Sequence, residues 1–271
     1  MFYLALVFIG GLCGITTVLF GFGGGFVVVP ALYGLLTAMH GADDAIGQSA
    51  MHIAVATSTC VMIVSSASAT HRHLRAGNIV RDYVWPLAGY IAAGALLGAL
   101  AATRVDGGFV RHAFIAYLGV TILDCLLRQG FMSQGAGAAP RAMGRAATMA
   151  GGLGIGAIAA FLGVGGSVMT VPLLRRRGLP MAKAAAMANP LTLPVALAGT
   201  LAYLAAARQA PQALAPWIVG YVDLLAFAAL ALGSLAGIRL AAPLIPRIAD
   251  RLHARVYVLL LILVMIGMIA L

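Results

Sequence analysis

Long apolar runs, most of them about the length of a membrane span, alternate with short polar cuts, and the cuts define the elements. Roughly 20 consecutive apolar residues cross a bilayer as a helix. The pattern predicts a first helix from Met1 to Phe20 and a shorter one from Phe26 to Ala38 containing Pro30, with the break Gly21-Phe22-Gly23-Gly24-Gly25 between them. A polar loop, 40–48, carries Asp43 and Asp44. Spans follow at Ser49 to Ala69, Val84 to Ala102 and Val110 to Leu127, and the basic stretch His71 to Asn78 separates the first two. Residues 129–145, rich in Gly, Ala and Ser, read as a linker. The second half predicts a helix from Ala146 to Leu162, a break at Gly163-Val164-Gly165-Gly166, a short piece from Ser167 to Leu174, and spans at Ala184 to Ala206, Trp217 to Ala241 and Tyr257 to Leu271.

The two halves share one grammar. Val171-Pro172-Leu173-Leu174 repeats Val29-Pro30-Ala31-Leu32, and Gly233 with Gly237 repeats the spacing of Gly94 with Gly98, a small-residue pair suited to close helix packing. An internal duplication explains this, with repeat one at 1–128, a cytoplasmic linker at 129–145 and repeat two at 146–271. The positive-inside rule orients the halves. With His71 to Asn78 in the cytoplasm, only Arg104, Arg111 and Arg208 fall outside, and the remaining 14 of the 17 Lys and Arg fall inside. Both termini are then outside, and the broken hairpins enter from opposite faces. The expected fold class is an all-α polytopic membrane protein of two inverted-topology repeats, each a broken helix hairpin plus three transmembrane helices.

Composition agrees: of 271 residues, 62% are hydrophobic and only 9% charged, and the mean hydropathy is +1.03, outside the usage of soluble domains. The start of the chain lacks a basic n-region and a cleavage site, so the first segment is expected to be retained. The net charge of +10 sits in short loops, where topology accounts for it without a nucleic-acid partner. Cys13, Cys60 and Cys125 lack the spacing of a zinc site or a disulfide framework and read as buried thiols. No paired carboxylates, HExxH or Ser-His-Asp arrangement is present, so an enzyme is not expected, and neither a cofactor nor a metal is implied.

Inverted repeats with broken helices place a substrate near the bilayer midplane and support alternating access, which implies a secondary transporter; a bacterial inner membrane is its expected location. A half-helix that starts at a glycine break presents N–H groups without intrahelical partners and a partial positive charge. Those groups belong to Gly24, Gly25 and Phe26 in the first half, with Gly23 beside them as a further binding candidate, and to Gly165, Gly166 and Ser167 in the second, together an anion cradle. The preceding half-helices end in carbonyls that suit a cation, so the breaks alone leave the sign open. The chain has no Glu and seven Asp, of which only Asp124 and Asp223 fall within apolar runs, and this scarcity of carboxylates favours a small anion. Thr57, Ser58 and Asn189 on the following spans are candidate ligands, with Ser65 weighed below them. His52, Asp124 and Asp223 are candidates for proton coupling. Transport of a cation or neutral metabolite through the same breaks, and a membrane assembly factor, are the alternatives. The oligomeric state, a homo-oligomer included, stays open.

The duplicated glycine-rich turn followed by an apolar run and Val-Pro-x-Leu, together with Ala56-Thr57-Ser58 and the His71-Arg72 loop ending at Gly77-Asn78, resembles the sulfite exporter TauE/SafE family over nearly the whole chain. The resemblance implies an exporter of small sulfur-containing or organic oxyanions such as sulfite, thiosulfate or sulfoacetate. It points to Gly23, Gly24, Gly25, Thr57, Ser58, Gly165 and Gly166 as facing the substrate. Two positions depart from the pattern: Ser167 stands where a third glycine is expected, and Asn189-Pro190 is the counterpart of Thr57-Ser58.

Overall fold

A computed structural model describes residues 2–41, 44–128, 130–132, 144–206 and 215–271. Asp43, Arg141, Arg208 and most of the expected linker lie outside the described residues. The elements in order are α1 (Phe2–Phe20), α2 (Gly25–Met39), α3 (Ala45–Gln48), α4 (Ala50–Arg75), α5 (Arg81–Ala102), α6 (Gly107–Leu127), α7 (Arg145–Leu162), α8 (Ser167–Arg176), α9 (Met181–Ala205), β1 (Ile218–Val219), β2 (Val222–Asp223), α10 (Leu224–Ala241) and α11 (Asp250–Ala270). Among the described residues, eight helices are long and apolar enough to cross a membrane. The protein is an all-α polytopic membrane protein.

The helices after the breaks are short. α2, with 15 residues, and α8, with 10, extend about 22 and 15 Å at the helical rise, less than the roughly 30 Å of a hydrocarbon core. Each is shorter than a single crossing, whereas α1 and α7 before the breaks are long enough for one.

Three boundaries differ from the hydropathy reading by more than three residues. α4 runs past Ala69 to Arg75 because His73, 1% exposed, finds a hydrogen-bond partner inside the bundle. It ends at Gly77, whose φ of 69° allows Asn78 N–H to bond back to His73 O at 3.0 Å. Residues 218–223 form a small hairpin rather than helix, pairing Ile218 with Asp223 and Val219 with Val222, and α10 starts only where Asp223 caps it. α11 starts seven residues before Tyr257: its first turns bury His253 and Ala254 and expose Arg251 and Arg255, so hydropathy alone hides them. In the 40–48 loop, Asp44 caps α3 through Ile46 N–H, and its hydrogen bond with His40 holds the carboxyl below the usual carboxylate range.

Two seams join the halves. α1 packs on α10 with almost no side chain between them: a Cβ on Gly14 would lie 2.1 Å from Ser234 O, and one on Gly233 2.0 Å from Val7 O. α5 meets α7 the same way, with a Cβ on Gly98 falling 1.9 Å from Ala157 O and one on Gly156 2.1 Å from Ile91 O. The glycine pairs are therefore packing devices, as their spacing implies. α4 and α9 are the most enclosed spans and pack on each other, with Gly199 fitting against the Thr59 side chain. Cys13 and Cys125 are buried, Cys60 is half-buried, and all three are free thiols.

Candidate functional site at the paired helix breaks

The two breaks meet. α1 ends at Phe20, and the chain reverses through Gly21, Gly23 and Gly24, all in left-handed conformations (φ 75°, 68° and 100°) that L side chains rarely adopt. At the second break only Gly163 does so, at φ 67°. The breaks therefore share a sequence pattern but not one backbone path. A Cβ on Gly25 would lie 2.4 Å from Gly163 O and 3.1 Å from Ser58 Oγ, and one on Gly165 would lie 3.3 Å from Phe22 O. Only glycine lets the two turns come this close.

Side-chain hydroxyls tie the turns down. Ser58 donates to Gly163 O at 2.7 Å, and Ser65 donates to Gly23 O at 2.9 Å, with Ser66 on the same carbonyl at 3.4 Å. Ser65, weighed low from sequence, thus does for the first break what Ser58 does for the second. Thr192 touches both: its Cγ2 is 2.6 Å from the Cβ position of Gly23 and 2.8 Å from that of Gly165. The hydropathy pattern did not single it out. The available signal was its place three residues after Asn189, on one face of α9.

Two buried histidines fix the end of α1. His73 Nε2 donates to Val18 O at 2.9 Å, and His253 Nε2 donates to Leu19 O at 2.7 Å. An aromatic column covers the first turn. Phe26 stacks on Phe22 with centroids 4.3 Å apart, Phe22 stacks on Tyr257 at 4.7 Å, and Tyr257 donates its hydroxyl to Val168 O at 3.3 Å. Ser167 begins α8 and turns its hydroxyl to Gly165 O at 3.3 Å.

Four carbonyls beside the breaks have side-chain donors, while those of Phe20, Phe161 and Leu162 at the ends of α1 and α7 accept from nothing among the described residues. The carbonyls of Val18, Leu19, Gly23 and Gly163 all accept from side chains. The N-caps of α2 and α8 are Gly24 and Gly166, and neither helix has a side-chain cap. Among the described residues, the N–H groups of Gly25, Phe26, Ser167 and Val168 donate to nothing. By contrast, Asp44, Asp106 and Asp223 cap α3, α6 and α10.

The remaining expected residues separate into groups. Asn189 is fully buried, and its Nδ2 donates to Ala185 O at 3.3 Å, the carbonyl that also lies against Gly21, while its Oδ1 has no partner among the described residues. Thr57 points elsewhere, accepting from Asp223 N–H at 3.0 Å, and the Asp223 carboxylate caps α10 through Ala226 N–H at 2.9 Å. His52 bonds Val105 O at 3.1 Å, with its ring 5.3 Å from that of Tyr221. Asp124 lies apart from both, paired with Arg176 at 2.5 Å and with Arg128 at 3.8 Å. The structure thus collects Gly23, Gly24, Gly25, Phe26, Ser58, Gly165, Gly166, Ser167 and Asn189 around the two turns. It leaves Thr57, His52, Asp223 and Asp124 outside that group.

A family model described as "Sulfite exporter TauE/SafE" matches residues 6–268. A Haemophilus influenzae protein named "Probable membrane transporter protein" is 27% identical over 186 residues, covering 68% of this chain and 66% of that protein, so the match spans just under two thirds of the relative. No solved structure matches the chain.

Proposed function

The chain belongs to the sulfite exporter TauE/SafE family of membrane transporters, and from that premise we propose that it exports small sulfur-containing or organic oxyanions, such as sulfite, thiosulfate or sulfoacetate. The anion is held between the N-termini of α2 and α8. One observation supports this reading over its cation alternative: four carbonyls at the breaks, those of Val18, Leu19, Gly163 and Gly23, are already engaged by His73, His253, Ser58 and Ser65, whereas none of the four helix-start N–H groups is. An oxyanion supplies the missing acceptors, and the two helix dipoles favour its charge. Asn189 and Thr192 line the approach from α9, and Ser167 stands at the mouth of the second turn.

The proposed architecture is a pair of inverted repeats with both termini outside. It is supported by the exchange of partners between halves, α1 with α10 and α5 with α7, and by the packing of α4 on α9. Rocking of one half against the other would open the occluded turns to each side in turn. His52 and Asp223 are the proposed proton-coupling groups, since the Asp124 carboxylate is committed to Arg176. The test is flux of sulfite, thiosulfate and sulfoacetate in proteoliposomes, with and without a pH gradient. Saturable oxyanion flux is the expected result. Protein that moves none of the three anions but moves cations would overturn the reading.

A further inference from the structure

A second basic site lies where α4 and α10 end. His71, Arg72 and Arg75 from the last turns of α4 face Arg239 from α10 across a cavity of about 600 Å³. Ser68 adds a hydroxyl, and Leu235 and Ile245 form an apolar wall. No carboxylate lines it among the described residues, and none of the three arginines forms an ion pair there. The acids among the described residues lie elsewhere. Asp44 pairs with His40, Asp124 with Arg176 and Asp250 with Arg175; Asp106 and Asp223 cap helices; and Asp82 lines a separate cavity with Arg145 and Arg177.

Topology alone requires these arginines only on one side of the membrane. It does not require residues 72, 75 and 239, from helices far apart in sequence, to surround one concavity. Three arginines lining one space repel one another, and an anion between them relieves that repulsion. Their fixed forks match the oxygens of a tetrahedral dianion, with Ser68 as a further donor. We propose that this cavity is a binding site for a phosphate-class oxyanion, separate from the paired breaks. The group reaches it either as the headgroup of an anionic phospholipid, with its glycerol end against Leu235 and Ile245, or as a soluble phosphate. Leu240 and Leu244, on the same stretch, are 76% and 44% exposed and give a lipid chain a surface to follow.

The test titrates inorganic phosphate against the purified full chain in neutral detergent at constant ionic strength, reading calorimetric binding and melting temperature. Saturable binding that raises the melting temperature is expected. Arg72→Lys with Arg239→Lys keeps the charge and the topology signal but loses both forks, and should weaken binding by about tenfold or more. Arg75→Gln gives the same reading through a single change should the double variant fail to fold. Repeating the titration in nanodiscs separates the sources: competition by phosphatidylglycerol but not by phosphatidylcholine identifies a lipid headgroup, and undiminished binding in both identifies a soluble phosphate. Absence of saturable phosphate binding in detergent overturns the proposal, as does binding that none of these arginine changes weakens.

Discussion

Ser58 Oγ donates to Gly163 O at 2.7 Å across 105 residues of chain, so α4 of the first half holds the break of the second. Ser58→Ala leaves a buried carbonyl without its donor, which costs about 1–3 kcal/mol. Thermal unfolding in detergent should show that loss, and oxyanion flux should fall with it, because the turn that presents Gly165 and Gly166 is no longer pinned. Unchanged stability and flux would remove Ser58 from the site.

Gly25 has no room for any side chain. Its Cβ would sit 2.4 Å from Gly163 O, a backbone atom that moves only if the two turns separate. Gly25→Ala should destabilise the protein by about 1–3 kcal/mol and lower flux at least tenfold. Flux equal to that of the wild type would mean that the contact between the turns is dispensable.

The seams between the halves make a paired prediction on α5. A Cβ on Gly98 falls 1.9 Å from Ala157 O, whereas one on Gly89 meets nothing within 4 Å. Gly98→Ala should therefore cost at least about 1 kcal/mol through overpacking, while Gly89→Ala should be neutral or stabilising by up to about 1 kcal/mol, because alanine favours helix. Equal melting temperatures for the two variants would contradict the packing of α5 on α7.

Arg175, in the last turn of α8, ties that helix to its neighbours. Its side chain is wholly buried and forks onto Asp250, 41% exposed, while its Nε donates to Phe131 O at 3.1 Å. Asp250 also accepts from Met181 N–H at 2.8 Å, so the pair ties α8 to the starts of α9 and α11. Asp250→Ala should destabilise by about 3 kcal/mol, the lower end for a broken buried pair because one partner reaches solvent. The check is a melting curve of the variant beside Arg175→Leu with Asp250→Leu, which removes both charges and should recover part of the loss.

Topology is testable by labelling. With Cys13, Cys60 and Cys125 replaced by alanine, a cysteine at the exposed Ala76 should react only with reagent admitted to the cytoplasmic side, and one at the exposed Gly41 only with reagent outside. The reverse pattern would invert the whole arrangement.

The number of spans, the two breaks and the small-residue seams were legible because each rests on a local rule: apolar length for a bilayer, glycine where backbone must turn or approach, and repeated spacing for a helix face. Starts and ends were less so. The polar first turns of α11 and last turn of α4 are helical because His253 and His73 find partners in the bundle, which hydropathy does not register.

Long-range chemistry belonged to the tertiary structure. Val18 and Leu19 are adjacent, yet their carbonyls are met by histidines 55 and 234 residues away. Thr192 matters because two turns from different halves close on it. Thr57 was read as the neighbour of Ser58 in role as well as in sequence, but adjacent helix positions face different directions, and its hydroxyl meets Asp223 instead. The sequence by itself determined that glycine breaks interrupt two membrane helices, since hydrocarbon tolerates unpaired backbone only where protein or water satisfies it. Only the fold decided that the two breaks touch and that side chains engage the carbonyls of Val18, Leu19, Gly23 and Gly163 while the helix-start N–H groups stay unengaged, because those partners come together only when helices from both halves pack.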